Sequence, residues 1–423
     1  MRPPLLLALL SVLGLLVWLR HTPPAPDEAT AAAKIQAWSI AAVTPESLAG
    51  EVEAIRGLRF TTPLRITRVP VAELEKKVRA AMTSAVPPAE VALRVRAAFA
   101  LGLIRPGMEF DAADCLAGSA LEVPAAHYDP ATSIMWVNDA FSPDTRPDLT
   151  VRLVFHIARA LLLQHDGAPL PDGNDDALLT ALAVLHADAA ITAQRHSQRH
   201  AGRIPGGVTV PETATYHASP PFLRAVLAFP GNTAPNFHAA LQEKSPGTDA
   251  NAFLNGILAR PPRATAELLH PETYPAPPSA PVVIVRSALP PLPVLTENSL
   301  GESGVRTLCK TQLTSTEAEP AAAGLLADRY LLLAGTGPGQ DHLLWRTRWA
   351  TAEDAAAFLR ALAATHLGNA GIALTPGHFP TPDTFRAVTP TLTLSATTGP
   401  DHTVSFAASP DPAIARQILG APP

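Results

Sequence analysis

The residues of this chain whose type and spacing could do chemistry lie in one apolar stretch, Val151 to Gln164, which reads V-R-L-V-F-H-I-A-R-A-L-L-L-Q. A hydrolytic zinc helix carries histidines at positions i and i+4, which share a face, and a glutamate after the first histidine as general base. Here His156 is followed by Ile157 in the place of the base, and Ala160 stands in the place of the second ligand. Since a lone histidine in an apolar helix is usually a core residue, the rest of the chain must decide whether this one was a ligand.

Two arginines share the helix face of His156. Arg152, His156 and Arg159 fall at i, i+4 and i+7, and two guanidiniums beside a dication would repel it, because arginine stays protonated in proteins. One interpretation is a solvated face of the helix. The other is that Arg152 or Arg159 fills the space of the metal and pairs with Asp188.

A second histidine pair occurs in His196-Ser-Gln-Arg-His200, again at i and i+4. It has no glutamate base, it is flanked by Arg195 and Arg199, and Gly202 follows soon after. This composition predicts a polar, fraying helix end.

The elements that must position these residues belong to a globular protein. Of the 423 residues, 47% are apolar and 16% are charged, which is enough apolar surface to form a core. A net charge of −5 gives no electrostatic footprint for nucleic acid. Cys115 and Cys309 are the only cysteines, and the sequence leaves open a disulfide between them or two buried thiols.

The apolar run Leu5–Leu19, between Arg2 and Arg20, predicts export. We expect an uncleaved membrane anchor with the bulk of the chain facing the periplasm or the exterior. A cleaved signal peptide and a secreted protein are the alternative.

The pattern along the chain predicts an α+β protein. A strand pair within 121–138 precedes the helix of His156, and a second helix follows over Asp175–His196. Two more helical stretches lie in 220–258, and the order β-β-α-β-β in 329–407 predicts a small C-terminal α+β unit. The expected divisions are an N-terminal segment 1–22, a Pro-rich linker 23–45, a core 46–285 and a C-terminal subdomain 286–423.

An ordered set of segments resembles a family of uncharacterised, exported bacterial proteins that are similar to zinc metallopeptidases and whose site helix reads approximately H-E-L-T-H-A-L-Q-D-Q. The matching segments are I-R-G-L-R-F at 55–60, H-Y-D-P-A-T at 127–132, F-H-I-A-R-A-L-L-L-Q at 155–164, A-V-L-H-A-D-A at 183–189, P-P-R-A-T-A-E-L-L-H-P-E-T-Y at 261–274, L-G-E-S-G-V-R at 300–306, A-A-G-L-L-A-D-R-Y at 322–330 and L-L-W-R-T-R-W at 343–349.

The resemblance implies a zincin-like core in which a β-hairpin precedes the pair of site helices. It also implies zinc bound by both histidines of the first helix and by a glutamate in a Glu-Gly-Asp motif on the second. Carried over by position, His156 matches the first ligand, His186 replaces the glutamate and Asp188 matches the aspartate.

Together these residues predict the remnant of a metal site, made of His156, Arg159, His186 and Asp188, with no catalytic residue and the family's zinc lost. We therefore expect a catalytically inactive homologue in the cell envelope that binds a peptide or protein partner. One alternative is an active metal-dependent hydrolase with a rebuilt site that uses His156, His186 and Asp188. Another is a structural envelope protein.

Overall fold

The computed structural model describes residues 44–85, 87–105, 107–112, 115, 126–140, 147–165, 174–200, 217–276, 280–337 and 339–420. The expected N-terminal anchor and nearly all of the Pro-rich linker lie outside these residues. Within them, one helix, Asp175–Arg199, is long and apolar enough to cross a bilayer, and 78% of its most apolar window is buried in the fold. That burial is typical of a core helix of a globular unit.

The protein is α+β, as the sequence predicts. The first part of the chain forms helices α1 (Pro45–Arg56), α2 (Val71–Ala85), α3 (Pro88–Ala100), α4 (Pro147–His165), α5 (Asp175–Arg199), α6 (Pro221–Lys244), α7 (Ala250–Ala259) and α8 (Thr265–Leu269). It also forms strands β1 (Arg65–Val69), β2 (Ala126–Asp129) and β3 (Ile134–Asn138). The strand order is β1-β3-β2, in which β1 and β3 are parallel and β2 and β3 form an antiparallel hairpin.

The hairpin lies against helix α4, and α4 packs along α5. Helix α4 is apolar nearly all round, and a helix of that composition must be buried. Every residue from Thr150 to Leu162 is indeed buried. Helix α5 begins after Asn174, whose side chain accepts a hydrogen bond from the backbone of Ala177, as an N-cap does. Because α1, α4 and α6 all contact α5, this long helix is the centre of the first part of the fold.

The last part of the chain builds a six-stranded antiparallel sheet. Its elements are β4 (Val294–Asn298), α9 (Gly301–Cys309), α10 (Ser315–Ala322), β5 (Leu325–Leu333), β6 (His342–Trp349), α11 (Ala352–Asn369), β7 (Thr384–Val388), β8 (Thr393–Thr398), β9 (Thr403–Ser409) and α12 (Pro412–Leu419). The strand order is β4-β5-β6-β9-β8-β7. The β-β-α-β-β order read from the sequence corresponds to β5, β6, α11, β8 and β9, and it misses the edge strands β4 and β7.

The core of this sheet also includes part of the preceding chain. Ala97, Ala98 and Ala100 of α3 belong to the same apolar cluster as Trp345 and Phe358. On the same helix, Arg96 donates a 2.7 Å hydrogen bond from Nε to Asp341. Helix α3, which lies in the expected core 46–285, therefore packs with the C-terminal part of the chain rather than only with its own expected division.

The N-terminal end of α5 joins the two units. Asp176 accepts hydrogen bonds from the backbone N–H and hydroxyl of Thr265 at 2.9 and 2.5 Å. Gly301 approaches Asp176 so closely that an added Cβ would lie 1.8 Å from its Oδ1. Nearby, Glu302 accepts from Arg306 at 2.8 Å and lies 2.9 Å from His270. The segments 261–274 and 300–306 thus meet at one buried polar junction.

Candidate functional site

The face of α4 that carries His156 is buried. The exposed fraction is 3% for Arg152, 7% for His156 and 5% for Arg159, and it is zero for Ile157 and Ala160. The interpretation of this stripe as a solvated helix face is therefore wrong. The cause is the packing of the hairpin on one side of α4 and of α5 on the other, which covers the helix all round.

Three buried histidines lie near enough to Arg159 for its charge to act on them. His156 comes from α4, His186 from α5 and His127 from β2 of the hairpin, and all three are buried. The ring of His127 stacks on Trp136 with centroids 5.9 Å apart, and the ring of His186 meets Phe155 edge to face at 5.1 Å. We call these four residues, His127, His156, Arg159 and His186, the histidine–arginine cluster.

The imidazoles of this cluster are neutral at pH 7. Burial lowers the pKa of His156 and of His186 to about 3, and the charge of Arg159 lowers both further. Burial likewise lowers the pKa of His127 to about 4, with Asp129 opposing the shift and Arg159 adding to it. Arg159 is thus the cation close to all three rings. Two positive charges at this place would be unfavourable, so the histidines stay unprotonated.

Arg159 itself is held in an apolar environment. Its guanidinium lies 5.9 Å from the centroid of the Phe155 ring, and its Nε and Nη1 have no hydrogen-bond partner among the described residues. Burial lowers the pKa of Arg159 to about 9, which still leaves it charged at pH 7. A buried cation with unused donors is costly for folding, and it is the most unusual feature of this site.

Asp188 is paired with Arg56, which lies in the matching segment 55–60 but was assigned no role from the sequence. Arg56, in the last turn of α1, donates from Nε at 2.8 Å and from its second terminal nitrogen at 2.9 Å to the two carboxylate oxygens of Asp188. Both side chains are almost fully buried. Burial raises the pKa of the Asp188 carboxyl, and the hydrogen bonds and charge of Arg56 oppose that effect.

The expectation that Arg152 or Arg159 pairs with Asp188 is therefore wrong. Residues i and i+2 are about 200° apart around a helix, so Asp188 faces away from His186. The side chain of Asp188 lies toward α1, whereas His186 lies toward Phe155 on α4. This geometry also takes Asp188 away from any metal held by His156 and His186.

Zinc does not fit the residues of the histidine–arginine cluster. A hydrolytic site needs about three protein ligands and an open position for water, and a general base near that water. Among the described residues, only one group of three potential ligands brings its atoms within 4.8 Å of one another, and it contains none of these histidines. The base position is held by Ile157, and the nearby charge is a guanidinium.

That one group consists of Glu51, His196 and His200. Glu51 lies on α1, His196 lies in the last turn of α5, and His200 caps the C-terminal end of that helix. His196 is 1% exposed, so the prediction of a polar, fraying helix end is wrong for this residue. The sequence signal was the i, i+4 histidine spacing. Glu51 could not be found in this way because it lies 145 residues earlier in the chain and meets the pair only through the packing of α1 on α5.

The two cysteines are buried and are not joined by a disulfide. Burial raises the pKa of the Cys309 thiol to about 12, so it is not a reactive thiolate at neutral pH. Of the two possibilities left open by the sequence, the structure has the two buried thiols.

Comparison with known proteins identifies one related segment. Residues 293–408 match a family described as a domain of unknown function, DUF8575, and this segment covers the six-stranded sheet from β4 to nearly the end of β9. No curated protein and no solved structure matches the chain.

Proposed function

We propose that this protein is a catalytically inactive relative of the zinc metallopeptidases, which retains a zincin-like scaffold and binds a peptide or protein partner in the cell envelope. The observation that carries the proposal is the position of Arg159. Its guanidinium is buried close to His127, His156 and His186, where the resemblance would place a metal ion. The hairpin followed by the helix pair α4 and α5 supports the scaffold.

Electrostatics explains why such a site would not hydrolyse a peptide. A dication about 5 Å from a guanidinium is repelled by about 7 kcal/mol at an effective dielectric constant of about 20. Ile157 and Ala160 are fully buried and offer neither a proton acceptor nor a ligand atom. The proposed role is therefore binding without cleavage.

The proposed location rests on the N-terminal sequence. The apolar run Leu5–Leu19 would anchor the chain in a membrane, with the folded part outside the cytoplasm. A site without catalytic residues in the part of the protein outside the cytoplasm is consistent with binding of a peptide or protein partner there.

The proposal is tested with the full-length protein supplied with Zn²⁺. A fluorescently labelled unfolded protein serves as substrate, and its binding is followed by anisotropy while its cleavage is followed by gel electrophoresis. We expect binding without cleavage, and the same result for His156→Ala. The matched control is His238→Ala, which removes an equally buried histidine on α6.

Two results would contradict the proposal. Cleavage that disappears in His156→Ala but persists in His238→Ala would show that His156 belongs to an active centre. Absence of any binding would remove the partner-binding role and favour a structural protein.

A further inference from the structure

We propose that Glu51, His196 and His200 bind a divalent transition-metal ion, with Zn²⁺ as the expected occupant. The ion would join α1 to the C-terminal end of α5. Two imidazoles and one carboxylate form a ligand set suited to zinc and to neighbouring transition metals.

The geometry brings the three ligand atoms to one point. His196 and His200 are one helical turn apart and so share a face of α5. Nε2 of His196 lies 3.1 Å from Oε2 of Glu51, and Nε2 of His200 lies 2.8 Å from the same oxygen. All three ligand atoms lie within 4.8 Å of one another. Ligands about 2.1 Å from a tetrahedral zinc ion are about 3.4 Å apart, so small side-chain movements would complete the site.

Simple hydrogen bonding explains this arrangement less well than metal binding. Both imidazoles approach the same carboxylate oxygen, while their rings lie only 4.6 Å apart between centroids. Neither ring nitrogen of the buried His196 has a hydrogen bond of good geometry among the described residues. A buried polar atom without a partner is rare, and a metal ion would satisfy Nε2.

The surroundings allow a cation to enter and leave. The side chains of His200 and Glu51 are 24% and 39% exposed, so a water molecule could occupy a fourth position. Arg195 is directed away from the site, because its Nη1 donates a 2.6 Å hydrogen bond to Asn251 on α7.

The site is separate from the histidine–arginine cluster. His186 and His196 are ten residues apart on one helix, which corresponds to about 15 Å along its axis. The inference therefore does not depend on the proposed function, and each can fail without the other.

The test uses the full-length protein, stripped with a chelator, dialysed and titrated with Zn²⁺ by calorimetry. The bound metal is then counted by mass spectrometry. We expect about one Zn²⁺ per chain. His200→Ala and Glu51→Gln, which change partly exposed side chains, are expected to weaken binding at least tenfold, as removal of a ligand should. His156→Ala is the control, which we expect to retain the metal.

Two further measurements distinguish loss of ligands from loss of fold. Zn²⁺ should raise the melting temperature of the wild type and not that of His200→Ala, because a ligand that binds only the folded state stabilises it. Bound Co²⁺ should give the intense visible absorption of tetrahedral coordination in the wild type and in His156→Ala, but not in His200→Ala. Absence of Zn²⁺ binding, or equal binding in His200→Ala and Glu51→Gln, would overturn the inference. Zinc lost only in His156→Ala would overturn both the inference and the proposed function.

Discussion

The neutral state of His186 predicts a specific dependence of stability on pH. Its pKa is lowered to about 3 in the folded protein, against about 6.5 in an unfolded chain. The stability that this histidine permits is therefore fully present above pH 6.5 and is lost as the pH falls from 6.5 toward 3, since only the unfolded state takes up the proton. At pH 5, which is 1.5 units below the unfolded pKa, the loss is about 2 kcal/mol at 1.36 kcal/mol per unit.

We expect His186→Leu to remove this contribution. Urea unfolding at pH 7 and pH 5 gives the free energy of unfolding of wild type and variant at each pH. From pH 7 to pH 5, the wild type should lose about 2 kcal/mol more of its free energy of unfolding than the variant loses. Any packing change caused by leucine cancels, because it does not depend on pH. The control variant is His402→Asn, which removes an exposed histidine. Asparagine is chosen because it tolerates the φ of 55° at this position.

The same reasoning applies to the whole histidine–arginine cluster. His127 and His156 have similarly lowered pKa values, so the three histidines together would cost between about 5 and 6 kcal/mol at pH 5. That is comparable with the total stability of many domains. If wild type and His186→Leu lose stability in parallel between pH 7 and pH 5, the reasoning from burial of a neutral imidazole is refuted.

Three further predictions concern the buried polar contacts. Asp188→Asn leaves the guanidinium of Arg56 without its counter-charge, so the free energy of unfolding should fall by about 3 to 5 kcal/mol in urea titrations; an unchanged midpoint would contradict the importance of this pair. Gly301→Ala should destabilise the protein by at least about 2 kcal/mol in thermal melts, because φ is +66° and its Cβ would overlap Asp176, whereas Gly337→Ala meets nothing within 4 Å and should be near neutral. Burial raises the pKa of Asp176 to about 6, so this carboxyl takes up its proton in the folded state first and favours folding more at pH 4 than at pH 7, by about 2 kcal/mol; Asp176→Asn should remove that difference, and identical pH profiles would exclude it.

Local sequence patterns predicted those helices and strands that are formed by contacts between residues close together in the chain. The hairpin of β2 and β3 and the helix beginning at Asp175 follow from alternation, turn residues and helical spacing. Strands β4 and β7 were missed. Each is only five residues long, which is too short for an alternating pattern to be distinctive, and each lies at an edge of the sheet.

The site was harder to predict because its partners come from distant parts of the chain. Arg56 lies 132 residues before Asp188, and no local pattern connects them. The opposite orientations of His186 and Asp188 could have been predicted from the rotation of 100° per residue in a helix. The burial of Arg152 and Arg159 could not, because it depends on how the hairpin and α5 cover α4.

The full burial of Ile157 and Ala160 has a consequence for the history of the protein. On the proposed ancestry, a return to zinc chemistry requires a glutamate at position 157, a histidine at position 160 and the removal of Arg159. A glutamate introduced first would place a charge in a position with no access to water, at a cost of several kcal/mol without a metal to compensate it. The glutamate at position 157 thus lowers stability before it restores any activity. On the proposed ancestry, the packing around α4 therefore makes a stepwise return to zinc chemistry unfavourable.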